Sequence, residues 1–323
     1  LAKYAADHKE KIAQEDLYWR GNFAQYEEIV RRDPSVLRNA FQRIYDMIIS
    51  WGCTQKERDK EKVNHYNLFD DVSGGGADAV FGLDEVLTAL VRVLESACNR
   101  YGAEKRVLLL HGPVGSAKST IARLLKRGLE LYSNAPEGRL YTFSIAQNAY
   151  YYGLNNEKAV QALSLGQSHI DCPMHEEPLH LIPKNLRQRY LADLLSGHEK
   201  KDELLTSLAV EGDLCPACRF VFNKNMERYH GDFDKFINEE IVVRRLVLSE
   251  TDRVGIGSFQ PKDEKNQDST DLTGDVNYRN IAALGKDSDP RAFNFDGEFQ
   301  VANRGIVEFV EVLKLDVAFL YDL

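Results

Sequence analysis

No stretch of this 323-residue chain is apolar for long enough to span a bilayer, and its first residues carry no secretory signal pattern. Those absences make a cytoplasmic protein, with no membrane partner, the expectation. Positive charge is also in short supply. The 41 Lys and Arg against 50 Asp and Glu leave a formal charge of −9, which sets aside broad binding to nucleic acid or to anionic lipid. Cysteine is scarce at five, and Cys172, Cys215 and Cys218 sit in paired-ligand motifs that suit a metal better than a secreted disulfide framework. No H-R-D or D-F-G tripeptide occurs, so a eukaryotic-type protein kinase site is not encoded here. What remains is an ordinary globular composition, 43% apolar and 28% charged, long enough for a large core.

One stretch organises the rest. The apolar run Val107, Leu108, Leu109 and Leu110 leads into His111-Gly112-Pro113-Val114-Gly115-Ser116-Ala117-Lys118-Ser119-Thr120. A phosphate-binding loop needs four parts in this order: a buried strand, a turn with few side chains in the way, N–H groups aimed at phosphate oxygens, and a helix N-terminus behind them. The residues Gly112 to Thr120 supply the cradle. Lys118 is placed to reach the β- and γ-phosphates of a nucleotide and Ser119 to put its hydroxyl on Mg²⁺. Apolar residues from Ile121 onward recur at helical spacing. The departure is Ala117, which stands where the G-x-x-x-x-G-K-[ST] pattern has glycine and adds a Cβ close to the phosphate. Upstream, Val86, Leu87, Leu90, Val91 and Leu94 predict a helix. Downstream, Leu140 to Ile145 predicts the next strand of a βαβ unit.

Residues 1–72 read as a helical amino-terminal region, with an aromatic-apolar face at Leu17, Tyr18, Trp19, Phe23, Tyr26, Ile29 and Val30. Asp33-Pro34-Ser35 breaks it before a second helix carrying Val36, Leu37, Phe41, Ile44, Tyr45, Ile48 and Ile49. The glycines 74–76 form the joint to a nucleotide domain whose first part runs over 73–170. Over 171–258 the pattern changes. Cys172-x-x-His175 and Cys215-x-x-Cys218 are two knuckles from separate segments, the arrangement that a tetrahedral Zn²⁺ with three thiolates and one imidazole requires. His180 competes with His175, and the knuckle spacing favours His175. Four protein ligands leave no open position, so this zinc is structural, and its binding energy is folding energy. A helix near Asn185 to Leu195 fills the interval.

Chemistry on a γ-phosphate also needs carboxylates. Three stretches compete: Ile241 to Glu250, a strand whose internal arginines suit a partly exposed sheet; Asn294 to Glu298, which lacks an apolar run; and Gly305 to Val312, apolar around Glu308 and Glu311. A plain amphipathic helix with Glu308 and Glu311 in solvent is the alternative for the last. The polar run Pro261 to Thr273 reads as a surface loop or an exposed arm that contacts a neighbouring subunit or a substrate. Val312 to Leu320 reads as an apolar segment packed on the sheet.

The loop Gly112–Thr120, the two knuckles, the polar run Phe259 to Asp268 and Ala302-Asn303-Arg304-Gly305-Ile306-Val307-Glu308-Phe309-Val310-Glu311 together resemble the bacterial PrkA serine protein kinase family. The resemblance implies an α/β fold. It would be a P-loop NTPase (AAA+-like) three-layer core with an amino-terminal helical segment and a zinc-bearing insertion, the core resuming over 259–323. In it, Gly305 to Val312 corresponds to Walker B. Glu311 falls on the glutamate that polarises the attacking water, and Val310 replaces the metal-side aspartate, which leaves Glu308 as the substitute Mg²⁺ ligand. The resemblance also implies a homo-oligomer acting on a protein substrate. The sensor asparagine, arginine finger and helical lid would lie after Leu323. Three functions follow: MgATP-dependent phosphoryl transfer to protein Ser or Thr, ATP hydrolysis that remodels proteins or delivers them, to proteolysis among other fates, and a zinc-stapled assembly domain that binds ATP without turnover.

Overall fold

Asn22 starts the first helix by a reciprocal exchange: its side chain accepts from the Gln25 amide at 2.8 Å while Gln25 Oε1 accepts from the Asn22 amide at 2.9 Å. The helix α1 (Phe23–Arg32) then buries Phe23, Tyr26 and Val30 at helical spacing. Asp33 caps a short 3-10 turn over Pro34–Leu37, the break foreseen at Asp33-Pro34. Asn39 and Gln42 repeat the capping box at the head of α2 (Ala40–Ser50), which buries Ile44, Met47 and Ile48. In the computed structural model, residues 16–58, 61–154, 157–208, 210–261 and 269–314 are described. The polar run at 262–268 and the apolar stretch at 315–320 lie outside the described residues.

The remaining elements that position the site are few. The strands β1 (Arg20–Gly21), β2 (Cys53–Arg58) and β3 (Glu61–Tyr66) come first. The helix α3 (Asp84–Cys98) has Asp84 and Glu85 in its first turn, where carboxylates favour the helix dipole. Next is α4 (Lys118–Asn134), which follows the glycine-bearing turn. After β4 (Leu140–Ala146) and β5 (His169–Asp171) come α5 (Pro216–Arg228), β6 (Ile241–Leu246), β7 (Ile256–Phe259), α6 (Glu298–Val301) and β8 (Ile306–Phe309).

Among the described residues there are three sheets: β1-β6-β4-β5, the β2-β3 hairpin, and the parallel pair β7-β8. In the largest, every pairing is antiparallel, with Phe143 opposite Val243 and Ser144 opposite Asp171. Alternation along β4 sends Tyr141, Phe143 and Ile145 to a core shared with α1, the cysteines and α5. Leu140 and Leu246 join a second core with α2, α3 and α4. In that second core Gly128 lets α4 approach α2, since a Cβ there would lie 2.7 Å from Met47 Sδ.

The mixed α/β architecture stands, and four local expectations change. The region 1–72 is not helical throughout, because Cys53–Arg58 and Glu61–Tyr66 pair as an antiparallel hairpin. Leu140 to Ile145 is a strand, but its neighbours run antiparallel, so it is not the next strand of a βαβ unit. Ile241 to Leu246 sits inside the sheet despite its arginines. Arg245 is fully buried because Asp16 and the carbonyls of Ser133 and Ala135 receive its guanidinium, while Arg244 pairs with Asp171. Finally, residues 107–110 pair with no strand among the described residues. Val107 is 73% and Leu109 62% exposed, and none of the three sheets takes the run up as a member. That run is not the buried strand its composition suggests.

Candidate functional site

The phosphate loop and the cysteine centre are built in opposite ways. At the loop, Gly115 takes a left-handed φ of +81°, and Ala117 takes φ +58° immediately before the helix. Ala117 thus adopts the conformation that the usual glycine would, at a cost of about 1–2 kcal/mol for a residue with a Cβ. Among the described residues no side chain caps α4, so its first N–H groups face outward with the helix dipole behind them. The Lys118 ammonium folds back onto the carbonyls of Gly112 (2.8 Å) and Pro113 (2.7 Å) and onto Ser116 Oγ (3.1 Å). Ser119 and Val114 are exposed at the mouth of the turn, and Thr120 is half-buried. These parts make an open, positively biased cradle for phosphate oxygens.

The carboxylates stand apart from it. Glu308, on β8, receives Lys126 Nζ at 2.8 Å, and the same ammonium bonds Glu250 Oε1 at 2.6 Å and Ser258 Oγ at 2.9 Å. Lys126 lies eight residues past Lys118, or about 12 Å further along α4. Burial disfavours its charge, but the two carboxylates outweigh that and raise its pKa. Glu311 lies in the turn after β8 with φ +57°, exposed, paired with Lys314 at 2.8 Å. Among the described contacts neither glutamate touches Lys118 or Ser119, and β8 is a strand rather than the amphipathic helix that was the alternative.

The cysteine centre converges. Sγ atoms of Cys172, Cys215 and Cys218 and a carboxylate oxygen of Glu176 all lie within 4.8 Å of one another, and all four residues are buried. Three elements bring them there. The Cys172 amide donates to Phe143 O at 3.0 Å, hanging the first knuckle from the sheet. Cys215 caps α5, its Sγ accepting from the Cys218 amide at 3.4 Å, and Pro216 occupies the first helical position, where a missing N–H costs nothing. His175 takes a left-handed φ of +48° in a turn closed by its amide on Cys172 O.

The fourth group is therefore Glu176, not His175. Cys172 Sγ bonds Glu176 Oε2 at 3.4 Å. His175 Nδ1 is buried with no hydrogen-bond partner among the described residues, and burial followed by Arg244 pulls its pKa down to about 4. His180 is held elsewhere, by Glu211 O at 2.7 Å.

Four acids in one dry pocket cannot all ionise unaided. Hydrogen bonds from Cys172 and Cys218 pull the Cys215 thiol well below the usual thiol range, while Cys172 and Cys218 are held up. Burial, then the charge on Cys215, pushes Glu176 up to about 8. The donor set fits a soft divalent cation. Thiolates at about 2.3 Å from Zn²⁺ stand roughly 3.8 Å apart in a tetrahedron, a contraction of about an ångström at most from the spacing here.

Sequence reasoning missed Glu176, Glu177, Lys126 and the contacts of Asn303 and Arg304. Only Glu176 carried a local signal, as the acid beside the histidine of the C-x-x-H knuckle.

The family described as "PrkA AAA domain" matches residues 21–323. The chain is 36% identical over 317 residues to a Bacillus subtilis (strain 168) protein named "ATP-dependent protease PrkA", covering 97% of this chain and 41% of that one. It is 25% identical over 246 residues to Escherichia coli (strain K12) "Serine/threonine kinase YeaG", covering 75% of this chain and 31% of that one. The chain thus spans less than half the length of either relative. No solved structure matches. The chain belongs to the PrkA AAA domain family, whose AAA character carries the P-loop NTPase class of α/β fold.

Proposed function

From membership of that family and the geometry of the loop, we propose that the chain is an ATP-binding module that holds MgATP over Gly112–Thr120. The carrying observation is Lys118 at the head of an α4 that no side chain among the described residues caps, behind a turn whose left-handed residues are Gly115 and Ala117. The Lys118 ammonium exchanges the Gly112 and Pro113 carbonyls for β- and γ-phosphate oxygens. Ser119 and, at longer range, Glu308 are the candidate Mg²⁺ ligands, and the ion supplies charge neutralisation between the phosphates.

The activity we propose is ATP hydrolysis, with Glu311 orienting water, coupled to work on a protein substrate by a homo-oligomer. The name of the Bacillus relative favours a link to proteolysis. Phosphoryl transfer to protein Ser or Thr is the second reading, favoured by the name of the Escherichia relative. The two differ in the nucleophile, a water or a protein hydroxyl. The cysteine centre holds a structural Zn²⁺ through Cys172, Glu176, Cys215 and Cys218. Among the described residues no helix is long and apolar enough to cross a membrane.

Incubation with γ-labelled ATP and a generic protein substrate separates the readings. Free labelled phosphate, lost in Lys118→Ala and Glu311→Gln, supports hydrolysis. Label on protein that survives Glu311→Gln but not Lys118→Ala supports the kinase. Turnover unchanged in Lys118→Ala contradicts both.

A further inference from the structure

The two sites meet in one turn. Residues 302–305 join α6 to β8, and the residues on either side of them are tied to Gly255, which leads into β7: Gly255 N donates to Val301 O at 2.7 Å, and Ile306 N to Gly255 O at 2.9 Å. Gly305 permits this approach, since a Cβ there would lie 1.8 Å from Gly255 O. The turn therefore cannot shift without carrying β8 and Glu308 with it.

On its other side the same turn grips the first cysteine knuckle. Asn303 Nδ2 donates to Met174 O at 2.6 Å. Arg304 Nη1 donates to Tyr141 O at 3.1 Å and to His175 O at 3.4 Å, and its Nη2 to Glu177 Oε2 at 2.9 Å. Glu177 is buried and also receives the Tyr26 hydroxyl from α1. Arg304 itself sits at φ +73°, a strained conformation for a non-glycine residue that persists only where its surroundings enforce it. So the six residues Cys172 to Glu177 supply two of the four metal-ligand groups and three of the acceptors for Asn303 and Arg304.

We propose that Asn303 and Arg304 are positioning residues that transmit metal occupancy of the cysteine centre to β8, and so to the placement of Glu308 and Glu311. The metal is a soft divalent cation such as Zn²⁺, and the inference rests on the metal reading above. Closure of Cys172 and Glu176 around the ion fixes the carbonyls of Met174 and His175. Those carbonyls, with Glu177, fix the Asn303–Arg304 turn, and the turn fixes the start of the strand. Without the ion, the knuckle relaxes and β8 loses the anchor at its start, while β7 and the Lys126–Glu308 pair hold the rest.

Hydrogen–deuterium exchange on the whole chain, zinc-loaded and after chelation, reads this without ATP turnover. Zinc content by elemental analysis tests the metal reading separately; a chain that takes up no zinc overturns that reading and this coupling together. In zinc-loaded wild type, chelation should speed exchange at Ile306–Phe309 by about tenfold or more, together with 172–177. In zinc-loaded Asn303→Ala/Arg304→Ala, β8 should already exchange at the faster rate, zinc should be retained, and chelation should then loosen only 172–177. Asn303→Ala alone, which leaves the Glu177 pair intact, should shift β8 in the same direction by less. In turnover, the double change should lower kcat about tenfold with KM for MgATP within about twofold, because the loop is untouched. The coupling is overturned if chelation loosens the knuckle of wild type but leaves β8 protected, or if it loosens β8 equally in wild type and the double variant.

Discussion

The cysteine centre is buried and closed, its four groups drawn within 4.8 Å by a sheet edge, a knuckle turn and a helix cap. The phosphate loop is open, with Val114 fully exposed and its lysine resting on the loop's own carbonyls. On the proposed reading the difference follows from what each region would hold: a structural ion that is bound once, with its ligands in the core, and a nucleotide that enters and leaves, with its donors at a helix end in solvent and Glu308 on a separate strand. Lys126 shows the separation, since it keeps Glu308 on the flank of α4 rather than at its head.

Breaking the closed region should have the largest effect. Cys215→Ser removes a ligand from the centre of the larger core; zinc content should fall to near zero, and the chain should lose on the order of 4 kcal/mol in urea unfolding. The neighbouring acid and imidazole sharpen the point: His175→Ala should keep the metal, whereas Glu176→Gln should weaken it by about 10–100-fold in a chelator competition. Retention in Glu176→Gln with loss in His175→Ala would restore the histidine as fourth ligand.

At the joint between the regions, Lys126→Met should cost about 2 kcal/mol by chemical denaturation. It leaves Glu308 without its cation in a half-buried place, while the exposure of Glu250 tempers the loss. An unchanged midpoint would mean that the three-way contact contributes nothing to the fold. In the open region the effect should be small and of opposite sign. Ala117→Gly relieves the left-handed φ, partly offset by added freedom in the unfolded chain, for a net gain of about 0.5 kcal/mol. A loss of stability there would show that the Ala117 methyl group packs usefully.

Elements set by local pattern were legible in the sequence. The helices α1 to α3 follow from 3.6-residue spacing with asparagine caps or an acidic first turn, α4 follows from the spacing alone, and Asp33-Pro34 ends α1 as its chemistry requires. Strand partners were not legible, because pairing is set by residues distant in sequence. Arg245 looked wrong for a sheet interior only because Asp16, 229 residues away, is invisible to a local reading. The run Val107–Leu110 is apolar in composition, yet a strand also needs a neighbour, and composition does not provide one. In the cysteine centre the spacing located three of four groups. The fourth depended on the left-handed turn at His175, which brings in the following carboxylate instead.

The central claim is that Lys118 and its loop hold MgATP, and thermal unfolding with and without MgATP tests it most directly. At a nucleotide concentration about 100-fold above Kd, wild type should gain roughly 2.7 kcal/mol, a rise in Tm of about 4 °C for a chain of this length. Lys118→Ala should show the same Tm as wild type without nucleotide and no rise with it. An equal rise in both proteins would contradict the assignment of the loop.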